Sequence, residues 1–236
     1  MQYIPRGVCC LAIIKAVFFD LFETLTYQKD PVTHEEVSEF LFSRNYEISS
    51  QQLRAAFAFV AFIDYPKHGH RNWRSFFSSV FRRLSVKVDE ETLNSIVKLC
   101  ESRHYQLYPD TVNALTSAKE FEWKTAIITT GTQFIAEKAV KPIRRYFDLI
   151  TTSFEAGCDK SNPRMYLKAL EILDVKPREA VMIGDDLQLD FLLPKRLGLN
   201  AILLDREGKY KGKAVDAFVY DLNEAMETII SQRGRN

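Results

Sequence analysis

An aspartate closes the apolar run in Val17-Phe18-Phe19-Asp20-Leu21-Phe22-Glu23-Thr24-Leu25, and a threonine follows four residues later. A carboxylate there can act as a nucleophile, but it repels an anionic substrate and so needs a cation beside it. Val181-Met182-Ile183-Gly184-Asp185-Asp186-Leu187-Gln188-Leu189-Asp190 offers a place for one, with an apolar run that ends in glycine and three carboxylates. Hard oxygen ligands of this kind suit magnesium, which takes one or two protein carboxylates together with water, substrate oxygen and a backbone carbonyl. Asp20, Asp185 and the carbonyl of Phe22 would form that set, with Asp186 or Asp190 as an auxiliary group. In Ala126-Ile127-Ile128-Thr129-Thr130-Gly131 a hydroxyl residue ends a third apolar run, and backbone amides free to face an anion come next. Thr129 is expected to hold a phosphoryl oxygen. Lys160, in Gly157-Cys158-Asp159-Lys160-Ser161-Asn162-Pro163, supplies a compact positive charge on a loop that leads into a helix.

These residues need a scaffold that brings strand ends together. Short runs rich in apolar and β-branched residues recur at Ala16–Phe19, Thr125–Thr129, Leu149–Thr152, Val181–Ile183, Ala201–Leu204 and Ala217–Val219. Being apolar on both faces, they read as strands of a parallel sheet covered by helices, and the stretches between them are long enough for crossover helices. The fold expected is α/β, a doubly wound parallel sheet whose ligand site lies beyond the C-terminal strand ends. Thr111 opens a helix over Val112–Glu120, Asn162-Pro163 one over Arg164–Leu173, and Asp190 one over Phe191–Leu197 before Gly198. Between Leu25 and Tyr108 no run reads as a strand. Four stretches of helical periodicity fill it, about 31–44, 50–63, 73–84 and 90–105, with starts at Asp30-Pro31, Ser49 or Ser50, Asn72 and Asp89. Ser49 and Gln52 stand at capping-box spacing. The division expected is a Rossmann-like core of residues 14–26 and 107–232 around a helical unit of 27–106. The aromatic stripes Phe57, Phe59, Phe62 and Phe76, Phe77, Phe81 read as helix-helix core, and Tyr65 to Trp73 as a loop facing the site.

Composition excludes several classes of function. The 236 residues carry 32 Lys and Arg against 31 Asp and Glu, a formal charge of +1, so no summed field recruits nucleic acid or an anionic membrane. Any anion must be captured locally, which favours a small-molecule substrate. Cys9, Cys10, Cys100 and Cys158 show neither zinc-site pairing nor the density of a disulfide scaffold, which points to a reducing cytoplasm. The apolar stretch Val8–Phe19 is interrupted by Lys15 and is shorter than the roughly 20 residues a membrane span requires. Cleavage as a signal peptide would destroy the first strand. His68 and His70 read as loop residues and Cys158 as a bystander to Lys160.

The four motifs, in this order and with a helical insertion after the first, resemble the haloacid dehalogenase-like superfamily of hydrolases. The resemblance implies that Asp20 is the nucleophile, Thr129 the hydroxyl ligand of the phosphate and Lys160 the charge stabiliser. Thr24, Thr130 and Gly131 become substrate-binding positions. Asp20, the Phe22 carbonyl, Asp185 and Asp190 become the magnesium site. The helical unit becomes a cap that closes over the core and chooses the substrate. The implied activity is magnesium-dependent hydrolysis of a small phosphorylated metabolite through an aspartyl-phosphate.

The sequence departs from the phosphatase pattern at one position. Phosphatases of this superfamily usually carry a second Asp two residues after the nucleophile, as general acid and base, and here Phe22 stands there. Phenylalanine transfers no proton, so a poor alkoxide leaving group would depart more slowly by the roughly 10²- to 10⁴-fold typical of general acid-base catalysis. Glu23 is a poor substitute, because the next side chain along an extended backbone points the other way. Dehalogenases also lack the second Asp, which keeps 2-haloacid dehalogenation as an alternative. They usually carry Ser-Asn where this chain has Thr129-Thr130, and they lack the Gly-Asp-Asp cluster. A third reading is a binding protein that keeps the fold without turnover.

Overall fold

The computed structural model describes residues 13–211 and 218–233. Cys9 and Cys10, with the rest of residues 8–12 of the apolar stretch Val8–Phe19, lie outside the described residues. Strand β1 (Ala16–Phe19) is fully buried and is followed by a short strand β2 (Thr26–Gln28). Five helices come next: α1 (His34–Ser43), α2 (Ser50–Phe59), α3 (Tyr65–His68), α4 (Trp73–Arg83) and α5 (Glu90–Ser102). The chain then alternates through β3 (Tyr105–Leu107), α6 (Thr111–Glu120), β4 (Lys124–Thr129), α7 (Gln133–Val140), β5 (Leu149–Thr152), α8 (Ser153–Ala156) and α9 (Arg164–Ile172). It closes with β6 (Ala180–Gly184), α10 (Leu193–Arg196), β7 (Asn200–Leu204), β8 (Phe218–Val219) and α11 (Leu222–Arg233).

Six strands form one parallel sheet in the order β5-β4-β1-β6-β7-β8, with β1 and β6 side by side at its centre. This is the doubly wound α/β fold expected from the sequence. Side chains alternate across β1: Val17 and Phe19 pack on the face that carries α6, α7 and α11, whereas Ala16 and Phe18 pack on the face that carries α9. Asp20 continues the Ala16–Phe18 row and faces the α9 side, from which Lys160 arrives. The last predicted strand is present as Phe218–Val219, and Ala217 lies outside the described residues.

Helices α1, α2, α4 and α5 bury a hydrophobic cluster of their own, with Val37, Leu41, Leu53, Phe76, Phe77, Phe81 and Ile96 at its heart. The capping box at Ser49 is formed, and Asn72 and Asp89 cap α4 and α5. The expected start at Asp30-Pro31 is corrected: Thr33 caps α1, its hydroxyl accepting from the Glu36 amide at 3.0 Å, while Asp30 pairs with Arg103. The second helix does not stop at 63. It passes through a wide turn, Val60–Asp64, into α3, and a turn of that kind accommodates the missing amide hydrogen of Pro66. Tyr65 to His68 are therefore helical. Of the aromatic stripes, Phe59 lies beneath the Arg83 guanidinium at 3.9 Å and Phe62 is exposed, so neither belongs to the core.

The absence of strands between Leu25 and Tyr108 is also corrected. β2 and β3 pair antiparallel, Thr26 opposite Leu107 and Gln28 opposite Tyr105, and join the two ends of the helical stretch beside β1. Asp190 does not open a helix. The turn Leu187–Leu192 begins earlier, capped by Asp186, whose Oδ1 accepts from the Gln188 and Leu189 amides at 2.8 Å each.

Candidate active site

Three strand ends and one loop converge. Asp20 follows β1, and its amide donates to the Ile183 carbonyl of β6 at 2.9 Å, which fixes it against the strand that leads to Asp185. Lys160 is buried in the turn before α9 and pairs with Asp20 Oδ1; its Nζ also lies 2.6 Å from Asp190 Oδ1. The other Asp190 oxygen accepts from the Asp186 amide at 3.1 Å, so this carboxylate is held from both sides. Its approach depends on Gly184, where a Cβ would stand 2.3 Å from the Asp190 carboxyl carbon. Asp20, Asp185 and Asp190 offer oxygens that all lie within 4.8 Å of one another.

Three carboxylates face one ammonium, so the group is over-supplied with negative charge. Burial pushes the Asp20 carboxyl up to about 8; Lys160 opposes this, and the charges of Asp190 and Asp185 add to it. Asp185 rises to about 6, from burial first and Asp190 second. Asp190 is raised by burial, against the pull of Lys160. Burial alone would lower Lys160, but Asp190 and Asp20 outweigh it and hold the ammonium above its ordinary range. A cluster of hard oxygens carrying excess negative charge fits a hard divalent cation, whose arrival would displace the protons that these carboxyls retain.

The remaining predicted positions surround this group. Thr24 is buried and its hydroxyl points at Asp185 Oδ1, 3.5 Å away. Thr129 is buried at the end of β4, next to β1, and its hydroxyl accepts from the Gly131 amide at 3.1 Å. Thr130 and Gly131 are half-buried on the loop beyond. The Phe22 ring lies against this loop, so close that a Cβ on Gly131 would stand 2.4 Å from Phe22 Cε2. Glu23 turns away through a left-handed backbone (φ 58°), and its carboxylate accepts from the Tyr108 hydroxyl at 2.9 Å.

Residues 14–198 match the haloacid dehalogenase-like hydrolase family. The chain belongs to the haloacid dehalogenase-like hydrolases. Glyceraldehyde 3-phosphate phosphatase of Methanopyrus kandleri is 26% identical over 204 residues, which span 84% of this hydrolase and 87% of that enzyme. Phosphoserine phosphatase of Thermus thermophilus is 34% identical over 108 residues, 45% of this chain and 43% of that one. Among solved structures, a phosphatase of the family from Thermococcus onnurineus superposes with a TM-score of 0.62 at 26% identity, over 93% of this chain and 99% of its own. A 2-haloacid dehalogenase from Pseudomonas syringae reaches 0.65 at 20% identity, over 93% and 99%, and so shares the fold.

Tyr166 and Arg206 escape sequence reasoning, and Tyr65, in the stretch expected to face the site, acts there from a helix rather than a loop. Tyr166 of α9 is buried beside Lys160 and donates its hydroxyl to the Leu189 carbonyl, tying α9 to the turn that carries Asp190. Tyr65 of α3 accepts the Gln133 amide at the start of α7, joining the helical stretch to the loop after Thr129. Arg206 forms two bonds to Asp110, both 3.0 Å, donates to the Thr24 carbonyl at 2.8 Å and stacks on Tyr108 at 3.8 Å. It anchors the loop that follows Asp20. None of the three lies in a recognisable motif. His68 and His70 both approach Asp64, at 3.7 and 3.6 Å. Burial pushes the Cys158 thiol up, as befits a bystander.

Proposed function

We propose that this hydrolase is a magnesium-dependent phosphohydrolase acting on a small phosphorylated metabolite through an aspartyl-phosphate at Asp20. The observation that carries this reading is the convergence of Asp20, Asp185 and Asp190 beside the buried Lys160. A monoanionic carboxylic acid substrate would be repelled by such a group, whereas a phosphate brought in with a divalent cation would not. The relatives named as phosphatases support the same assignment.

Lys160 holds one Asp20 oxygen, leaving the other to attack phosphorus. A bond forms between that oxygen and phosphorus as the bond to the leaving group breaks, and the leaving group takes the electron pair. The Thr129 hydroxyl, which accepts from the Gly131 amide, donates to one phosphoryl oxygen and the Thr130 amide donates to another, with Thr24 orienting Asp185. Asp190 keeps Lys160 in place. Asp20, Asp185 and the Phe22 carbonyl, with Asp190 in the same acidic group, would hold a magnesium ion, which would supply charge to offset the repulsion between carboxylate and phosphate. Water then attacks the acyl phosphate, releasing phosphate and restoring Asp20. The helical stretch of residues 27–106 acts as a cap that shields the site from bulk water.

Because Phe22 transfers no proton, turnover favours leaving groups that depart as stable anions. The assay is phosphate release from an aryl phosphate, with magnesium or with chelator, in native and Asp20→Asn protein. Activity that needs both magnesium and Asp20 is expected; activity that survives Asp20→Asn overturns the reading. Phe22 also favours a second reading, 2-haloacid dehalogenation, which predicts metal-independent halide release from 2-chloropropionate. Cys100 and Cys158 form no disulfide among the described residues, and the proposed place of action, the cytoplasm, rests on the sparse cysteines of the sequence. Among the described residues no helix is long and apolar enough to cross a membrane.

A further inference from the structure

Helix α7 begins immediately beyond the Thr129-to-Thr132 loop, and the helical stretch of residues 27–106 holds it at three points. Tyr65 of α3 accepts the Gln133 amide at its first position. Trp73 of α4 packs on Phe134, centroids 5.3 Å apart. Lys138 donates to the Glu101 carbonyl of α5 at 2.9 Å. Three helices of that stretch therefore grip the one core helix that continues the loop expected to receive phosphate.

Tyr65 makes the contact nearest the loop. Its side chain is completely buried. Thr132, at the cap position of α7, makes no capping bond, and the side-chain bond at this helix start comes instead from Tyr65. Burial holds the phenol above its ordinary range, against the pull of the Gln133 amide and Thr152, so the hydroxyl is neutral at pH 7. Thr152 ends β5, directly opposite Thr129 at the end of β4. The Tyr65 ring also packs on Phe154 at 5.9 Å, and the adjacent Ser153 hydroxyl donates to the Thr130 carbonyl at 3.4 Å. Tyr65 thus reaches the loop from both sides: through Gln133 beyond it, and through Phe154 and Ser153 beside it. The first amide of a helix has no partner within the helix, and a buried donor without an acceptor is costly, so the start of α7 is satisfied only while Tyr65 is docked.

We infer that Tyr65 is a positioning residue that couples docking of the helical stretch to phosphate binding at the Thr129–Thr130 loop, with α7 as the connection. The inference rests on the phosphohydrolase reading of that loop. The Tyr65 hydroxyl is occupied by the Gln133 amide, so it acts by fixing the backbone that carries the Thr129 hydroxyl and the Thr130 amide. Such coupling is reciprocal: phosphate held by the loop tightens the docking by the same factor as docking tightens phosphate.

The test uses the full chain with magnesium and inorganic phosphate, followed by calorimetry and tryptophan fluorescence. Trp73 lies in the docked contact and Trp123 is buried beside Phe121 in the sheet core, so Trp73→Phe identifies the reporter. Tyr65→Phe keeps the ring and removes the acceptor. It is expected to weaken phosphate binding about tenfold and to raise KM for an aryl phosphate equally, with kcat within about threefold of native. The change in Trp73 emission that phosphate causes in native protein should disappear.

A second variant separates positioning from mere satisfaction of a buried amide. Tyr65→Phe combined with Gln133→Pro has no amide hydrogen left to satisfy. Proline suits the first helical position, and Thr132 (φ −66°, ψ 146°) already has the extended backbone of a residue before proline. The exposed Gln133–Glu137 bond lost with it is a weak surface pair. Phosphate binding about tenfold weaker than native is expected here too, and this variant carries the test alone should Tyr65→Phe not fold. Native affinity in either variant, or a Trp73 response that persists without the hydroxyl, overturns this inference alone. Failure of native protein to bind phosphate with magnesium overturns the phosphohydrolase reading with it.

Discussion

Gly184→Ala perturbs the site through a single methyl group. The added Cβ would stand 2.3 Å from the carboxyl carbon and Oδ2 of Asp190. Reaching ordinary contact at 3.4 Å moves the carboxylate by about 1.1 Å. That displacement would stretch the 2.6 Å Lys160–Asp190 pair to as much as about 3.7 Å, or the 3.1 Å bond from the Asp186 amide to as much as about 4.2 Å, beyond hydrogen-bonding distance. Lys160 would lose the partner that fixes it beside Asp20. A misplacement of about 1 Å costs on the order of 10²-fold in rate, so kcat for an aryl phosphate should fall about 100-fold with KM little changed. Loss of a buried bond to a charged group should also lower stability by about 1–3 kcal/mol. Steady-state phosphate release and urea unfolding measure the two effects. A kcat within about threefold of native, in protein that folds normally, would refute the idea that Asp190 positions Lys160 through this approach.

Lys160→Met leaves Asp20 and Asp190 buried without their cation, which should cost about 3–5 kcal/mol in urea unfolding with chelator present; a loss below about 1 kcal/mol would contradict the pairing. Phe22→Asp should speed an alkyl phosphate relative to an aryl phosphate by about 10²-fold in kcat, and an equal change for both would show that no proton transfer was gained. Asp89 is held down to about 2 by bonds from the Thr92 amide and hydroxyl and from the Tyr46 hydroxyl. Its folded value lies below the usual 3.8, so its contribution to stability is present above pH 4 or so and disappears as pH falls through about 2. Acid unfolding should therefore show Asp89→Asn less stable than native near neutrality and converging with it at the acid end; a constant difference would argue against this.

The sheet was legible because a strand buried on both faces is written in consecutive apolar residues, as in Val17-Phe18-Phe19 and Val181-Met182-Ile183. The acids that follow those runs were legible for the same reason, since an abrupt change from apolar to charged residues marks a strand end. β2 and β3 were not, because Thr26-Tyr27-Gln28 and Tyr105-Gln106-Leu107 are three residues each and largely half-buried, with no run to detect. The capping of the Leu187–Leu192 turn by Asp186 was hidden by the presence of a second plausible cap, Asp190, four residues on. Tyr65, Tyr166 and Arg206 act through partners 68, 23 and 96 residues away, which local pattern cannot reveal. The substitution at Phe22 was visible at once. Its packing against Gly131 and Tyr105 required the fold.

The central claim is that Asp20 becomes phosphorylated. Native protein mixed with magnesium and a phosphate-labelled aryl phosphate, quenched in acid and digested, should yield label on the peptide containing Asp20, and Asp20→Asn protein should yield none. Label that persists in Asp20→Asn, or that maps to another residue, would contradict the account.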